Sequence, residues 1–329
     1  MVKRVYNFNP GPATLPLEVL KKAQKEFLNY KGTGMSIIET SHRTQLYKDL
    51  YYGVQDDIRE VLGLSDDYTV LFLGGGASTQ FAMVPYNFLK EGSTAEYLDT
   101  GRWAIKAVKE AQRVGKVNVV ASSADKNYSF VPKDYNIDPN ACYFHITTNN
   151  TVAGTQLKEI PETGDVPLVA DMSSDFVSRN IDHSKFSLIY AGAQKNVGPA
   201  GTAVVVIKND MAERMREGDL FTMLNYKTHM EKYSAFNTPP VFPIYIVSLV
   251  MEWLKDKGGI EEMERINNQK AEMLYDLIDN SDGFYIGAVE KEDRSYMNVT
   301  FNLKTEELEK KVVEEATEAG LVGLKGHRS

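Results

Sequence analysis

Cysteine is nearly absent from this chain, with one residue, Cys142, among 329. That excludes a disulfide framework and a cysteine-based metal centre. Histidine is scarce as well. Of the five, His145, His183 and His229 have no metal-ligand spacing and receive no catalytic role, so no metal is expected. No apolar run approaches the roughly 20 residues of a membrane helix. The segment Met1–Pro12 lacks the apolar core of a secretion signal, so a cytoplasmic protein without membrane contact is expected. Positive charge is the minority: 37 Lys and Arg against 45 Asp and Glu leave a net −8, which argues against non-specific nucleic-acid binding. An anionic substrate would then need a local basic cluster within an acidic molecule. The dipeptides His42-Arg43 and His327-Arg328 are the natural candidates. A G-x-S-x-G elbow is missing, which removes support for serine-hydrolase chemistry. Threonine at position 79 breaks G-x-G-x-x-G and no Gly-Lys-Ser/Thr follows, so a nucleotide-dependent oxidoreductase fits poorly.

What the chain does have is an alternation of short apolar runs with helical patterns, the signature of an α/β protein. Strands are expected at Val70–Leu73, Ala95–Leu98, Val117–Ala121, Cys142–Thr147, Leu168–Asp171, Leu188–Ala191 and Ala203–Ile207. Several are apolar throughout, as in a sheet covered on both faces. Helices are expected at about Leu17–Tyr30, Thr44–Leu62, Thr79–Leu89, Arg102–Arg113, Ile244–Lys257, Ile260–Asn280 and Thr305–Ala319. Residues 1–15, with Pro10, Gly11 and Pro12, read as an irregular arm. A domain border is expected at Gly258-Gly259, giving a large domain over 16–258 and a smaller one over 259–329, with strands at Tyr296–Phe301 and Leu321–Leu324. Polar residues gather just after the strands, where open α/β sheets bind ligands.

Two of those strand ends carry a specific chemistry. The run Leu188–Ala191 leads to Lys195, followed by the glycine-bearing turn Gly198-Pro-Ala-Gly201. A lysine at the end of a buried strand is costly unless its ammonium is paired, neutralised or used. Upstream, Leu168–Ala170 leads to Asp171. Lysine as Schiff-base former and aspartate as partner of a pyridinium nitrogen are the protein groups that pyridoxal phosphate requires. Taken alone, Asp171 could simply cap a turn through Ser173 and Ser174. The tripeptide Gly74-Gly75-Gly76, with Ala77, reads either as a phosphate cradle at a helix start or as an ordinary tight turn. Trp103 could stack on a flat cofactor or pack in the core. Thr151 could donate to the cofactor or satisfy its own loop, and Asn237-Thr238 before Pro239-Pro240 could reach outward or be plain surface.

These residues together resemble the phosphoserine aminotransferase family of fold-type-I pyridoxal-phosphate enzymes. Asn9-Pro-Gly-Pro-Ala13, Ser41-His-Arg43, Gly74-Gly-Gly76, Thr100-Gly-Arg-Trp103, Asp171-Met-Ser-Ser174, Gln194-Lys195-Asn196, Asn237-Thr238 and Lys325-Gly-His-Arg-Ser329 fall in family order across essentially the whole chain. The resemblance implies a mostly parallel seven-stranded sheet with helices on both faces and a smaller α+β C-terminal domain. It implies that Lys195 binds the cofactor, Asp171 holds its ring nitrogen, Trp103 stacks on the ring and Thr151 sits near the phenolic oxygen. Gly76, Ala77 and Gln194 would hold the phosphate, helped by Asn237 and Thr238 from the second subunit of a homodimer with shared sites. His42, Arg43, His327 and Arg328 would receive the substrate's phosphate or the side-chain carboxylate of glutamate.

The implied reaction is transamination of 3-phosphohydroxypyruvate by L-glutamate in serine biosynthesis, with the hydroxylated homologue of vitamin B6 synthesis as a second substrate. Some members carry arginine where this chain has Ala77. The family pattern also continues past Ser329 with a glycine pair, an arginine for the substrate α-carboxylate and a closing helix, so an incomplete small domain is expected. The rivals are an alanine–glyoxylate-type transaminase, a cysteine desulfurase, which a strand-embedded Cys142 disfavours, and a non-catalytic protein that binds a phospho-metabolite or pyridoxal phosphate.

Overall fold

The structure, a computed structural model, describes residues 4–326. Seven strands form the central sheet: β1 (Tyr68–Leu73), β2 (Thr94–Asp99), β3 (Lys116–Ser122), β4 (Phe144–Thr147), β5 (Leu168–Asp171), β6 (Leu188–Gly192) and β7 (Ala203–Lys208). Their order is β1-β7-β6-β5-β4-β2-β3. β7 runs antiparallel to both its neighbours, and every other pairing is parallel. The central strands β4, β5 and β6 are buried at every position, which explains why they read as mostly apolar runs, with His145, Thr147 and Asp171 as buried polar exceptions. β3 lies at the edge and alternates with exposed residues.

Alternate residues of each strand feed two separate cores. Val70, Phe72, Ile146, Ala170, Ile189 and Val206 pack on one side under the helices α1 (Leu17–Glu26), α2 (Gln45–Leu62) and α5 (Val241–Asp256). Leu71, Tyr97, Val169, Tyr190 and Val205 pack on the other under α3 (Gly76–Phe88) and α4 (Arg102–Ala111). The strand of each βα step therefore delivers its carboxyl end to one rim of the sheet, with a helix amino terminus beside it. Residues 74–76, 100–103, 149–151 and 193–195 follow strand ends on that rim, and Asp171 is itself the last residue of β5.

Beyond α5, Gly258 takes a left-handed backbone and separates α5 from α6 (Gly259–Asp279). A small cluster of Ala271, Tyr275 and Ile278 packs with Tyr285 and Val299. Two-residue strands pair antiparallel at Ile286–Gly287 with Phe301–Asn302, and α7 spans Glu306–Glu318.

Several expected boundaries move. The strand expected over Tyr296–Phe301 shrinks to Phe301–Asn302, because residues 293–298 spend their hydrogen bonds on residues 149–156 instead of on a ladder. The strand expected over Leu321–Leu324 is Leu321–Val322, and it pairs in parallel with Tyr6–Asn7 of the arm, which was expected to be irregular. The first helix stops at Glu26, and Cys142 precedes β4 by two positions and is half-buried. α3 begins at Gly76 rather than Thr79, so the glycine run is itself the helix start. No helix among the described residues is long and apolar enough to cross a membrane.

Candidate active site

Lys195 emerges from the turn after β6 with only part of its side chain exposed. Its Nζ donates to Thr151 Oγ1 at 2.5 Å and stands 5.2 Å from the centroid of the Trp103 ring. Burial pushes the Lys195 ammonium below the ordinary lysine range, opposed by the negative charges of Asp171 and Asp175. The arm lies against the lysine stem. Ala13 donates its N–H to the Gln194 carbonyl at 2.8 Å, and a Cβ built on Gly11 would lie 3.1 Å from Lys195 Cγ. The structure thus gives the Asn9–Ala13 motif a packing role that its residue types alone did not reveal.

Asp171 ends β5 and is 4 % exposed. Its Oδ1 accepts the Ser173 N–H at 2.9 Å, so the turn-capping bond considered for it is real. That bond occupies one oxygen, and no hydrogen bond to the other is found among the described residues. Burial raises the carboxyl above the usual carboxylate range, with Lys195 the largest opposing influence. Both members of this pair are shifted toward their neutral forms, because they share one water-poor site and burial outweighs their attraction. On the same sheet face, Tyr190 is the register partner of Asp171, and its hydroxyl contacts His145 Nε2 at 2.8 Å.

The start of α3 is open. A Cβ on Gly76 would meet nothing within 4 Å, whereas one on Gly75 (φ +83°) would collide with Thr79 Oγ1. No side chain among the described residues caps this helix, leaving amino-terminal N–H groups available to an anion. Ala77 and Trp103 border the same core cluster, and Phe81 of α3 packs on both Trp103 and Tyr190. Trp103 Nε1 is buried and has no hydrogen-bond partner among the described residues. Gln194 is half-buried beside Lys195.

Half-buried His42 contacts Tyr47 edge-on, and Arg43, Asn237 and Thr238 are exposed. No hydrogen bond or ion pair among the described residues joins any of these four to Lys195. His327 and Arg328 lie outside the described residues. His145, His183 and His229 are buried, and no group of three or more His, Cys, Asp or Glu among the described residues could hold a metal ion. Sequence reasoning missed Asn149, Asp175 and Ser295. Their polar side chains are almost wholly buried around the Thr151 loop.

The model of the class-V aminotransferases matches residues 5–329. The phosphoserine aminotransferase of Desulfosudis oleivorans is 54% identical over all of this chain and 91% of its own length. That of Geobacillus kaustophilus is also 54% identical, with the same coverage. Among solved structures, the phosphoserine aminotransferase from Bacillus circulans subsp. alkalophilus superposes with a TM-score of 0.97 at 50% identity, covering 99% of this chain and 91% of that one. The pyridoxal-phosphate-bound enzyme from Trichomonas vaginalis gives a TM-score of 0.94 at 36% identity, covering 99% and 93%. An alanine–glyoxylate aminotransferase from Nostoc sp. shares the fold alone, with a TM-score of 0.74 at 15% identity, covering 98% and 86%. The architecture is that of a fold-type-I aminotransferase, and the chain belongs to the class-V aminotransferase family, within its phosphoserine aminotransferase branch.

Proposed function

We propose that the protein transfers the amino group of L-glutamate to 3-phosphohydroxypyruvate, giving O-phospho-L-serine and 2-oxoglutarate in serine biosynthesis, with pyridoxal phosphate as cofactor. The observation that carries this reading is the convergence of a desolvated lysine amine, a buried carboxylate and a tryptophan face at the carboxyl ends of strands on one rim of the sheet.

The residues present fit the cofactor. The open, uncapped start of α3 suits a phosphate, held by Gly76 and Ala77 with Gln194 alongside. Trp103 offers a flat face beside the amine, and Thr151 a hydroxyl. When bound, the cofactor supplies an electron-withdrawing conjugated ring that lets the substrate Cα–H bond break heterolytically. Asp171 would hold the proton on the ring nitrogen, and its burial would make that charge pairing strong rather than screened. Lys195 would anchor the cofactor, and its Nζ would serve as the base for the proton on the substrate Cα. A lysine in water titrates near 10.4, so the lowering by burial enlarges the neutral fraction able to act as base. The arm at Gly11 and Ala13 closes over the lysine stem and limits water there.

His42 and Arg43, with His327 and Arg328, form the basic group that receives the substrate's phosphate or the glutamate side-chain carboxylate; a guanidinium fork suits both. A homodimer completes the site, with Asn237 and Thr238 reaching the neighbouring subunit's cofactor phosphate. Exposed Phe221, Tyr233 and Phe236 around that stretch support a covering second copy. Residues 16–258 act as the cofactor-binding domain, 259–329 as the small domain and 1–15 as the arm. The protein works in the cytoplasm on small-molecule substrates.

The test is steady-state 2-oxoglutarate formation from glutamate and 3-phosphohydroxypyruvate with added cofactor. Lys195→Ala is expected to lower kcat by about 10³-fold or more while the protein stays folded. Retention of most activity in that variant, or a parent that prefers alanine and glyoxylate, would contradict the reading.

A further inference from the structure

Thr151 is not held by its own loop alone. The loop 149–156 leaves β4 and folds back on itself: Asn150 N donates to the Thr155 carbonyl at 2.8 Å, and Gly154 N to the Asn150 carbonyl at 2.8 Å. Its outer side is gripped by residues 293–300, far away in the chain. Ser295 N donates to the Gly154 carbonyl at 2.8 Å and Gln156 N to the Asp293 carbonyl at 2.9 Å. Thr300 Oγ1 donates to the Ala153 carbonyl at 2.9 Å, and a Cβ on Gly154 would strike the same hydroxyl.

Ser295 is the centre of this grip. It is 0% exposed, and its hydroxyl donates to Asn149 Oδ1 at 2.5 Å while accepting the N–H groups of Met297 and Asn298 at 3.0 and 2.9 Å. The Asn149 amide in turn donates to Ser174 Oγ and Asn298 Oδ1, both at 2.8 Å. Ser174 lies on the turn that follows Asp171. Tyr275 of α6 donates its hydroxyl to the Ser295 carbonyl at 2.8 Å, tying the cluster to the long helix. Every polar atom named here is engaged, which is the condition under which a buried network fixes a single geometry.

We propose that Ser295 is a positioning residue for Lys195, acting through Asn149 and the loop that carries Thr151. The chain of contacts runs from α6 through Tyr275 and Ser295 to Asn149, two residues before Thr151 in the same loop, and the Thr151 hydroxyl meets the lysine Nζ at 2.5 Å. It sets where the amine points, and it makes the packing of residues 259–300 part of the reactive geometry. This inference rests on the reading of Lys195 as the reactive amine.

The experiment measures the rate at which trinitrobenzenesulfonate labels Lys195 in the cofactor-free protein, read by mass spectrometry with exposed Lys310 as internal standard, together with kcat and KM of the loaded enzyme. Ser295→Ala is expected to change the Lys195 labelling rate about threefold or more relative to Lys310, and to lower kcat about tenfold with KM little altered. Asn298→Ala, a milder cut in the same network, should move both in the same direction and serves if Ser295→Ala fails to fold. Variants with lowered melting temperature but labelling and kcat within about twofold of the parent would overturn the proposal, since a mere strut lowers stability without redirecting the amine. A parent without transaminase activity would overturn the functional reading, and the labelling ratio would still decide the positioning claim.

Discussion

The sheet and the region after Gly258 are built on different principles. In the sheet, β4, β5 and β6 are buried at every residue and carry Asp171 and the turn to Lys195. After Gly258, the described strands are two residues long, α7 has no buried residue, and α6 exposes Met273 at 69% and Leu277 at 57%. The first region has the contacts to hold charges out of water. The second has a cluster of three buried apolar residues, and it meets the first through residues 293–300 and through the start of α6, where Ile260 joins the large core and Asn267 donates to the Ser178 carbonyl. A densely packed body holds the reactive groups, and a more lightly packed one reaches the Thr151 loop through residues 293–300.

The largest contrast should appear in core truncation. Phe144→Ala in β4, at a residue 0% exposed, is expected to destabilise by about 3–5 kcal/mol. Leu277→Ala on α6 should stay within about 0.5 kcal/mol. Urea midpoints measure both, and equal losses would break the comparison.

Acid should separate the regions next. Burial lowers His145 to about 3 and His183 to about 4, and both belong to the large region. The unfolded chain binds these protons near pH 6.5 and the folded protein does not, so their contribution is complete above that pH. It is lost as pH falls from about 6.5 toward 3–4, at up to about 1.4 kcal/mol per pH unit for each group. In the C-terminal region Arg294 and Lys291 hold Asp279 below the usual carboxylate range, so its contribution fades only below about pH 4. His145→Gln should flatten the stability profile between pH 6.5 and 4.5; an unchanged slope would contradict the assignment.

The smallest effect concerns α7. Thr305 Oγ1 accepts the Leu308 N–H at 3.2 Å, and Thr305→Ala should cost about 1 kcal/mol. Because α7 buries nothing, the loss should appear as faster hydrogen exchange over residues 306–309 with kcat unchanged. A lowered global melting temperature would show that the region is better coupled than its packing indicates.

The sheet was legible in the sequence because a strand covered on both faces is mostly apolar, and that pattern is local. All seven expected strands exist, and Lys195, Thr151 and Trp103 meet as their positions after strand ends suggested. What escaped the sequence depends on pairing between distant segments. The arm's seat on Lys195 and its ladder with Leu321–Val322 join opposite ends of the described chain. The bond from Ser295 to Asn149 spans 146 residues. Serine, asparagine and glycine there look like ordinary loop, and only the fold buries them. The run Tyr296–Phe301 alternates like a strand, yet its neighbour in space is a loop, so most of it forms no ladder.

The central claim is that the Lys195 amine is the one that condenses with pyridoxal phosphate. Incubating the protein with the cofactor, reducing with borohydride and mapping the pyridoxyl group by mass spectrometry tests it most directly. The account requires one group per chain, on Lys195, and none in Lys195→Ala. A pyridoxyl group on another lysine of the parent, or none at all, would contradict it.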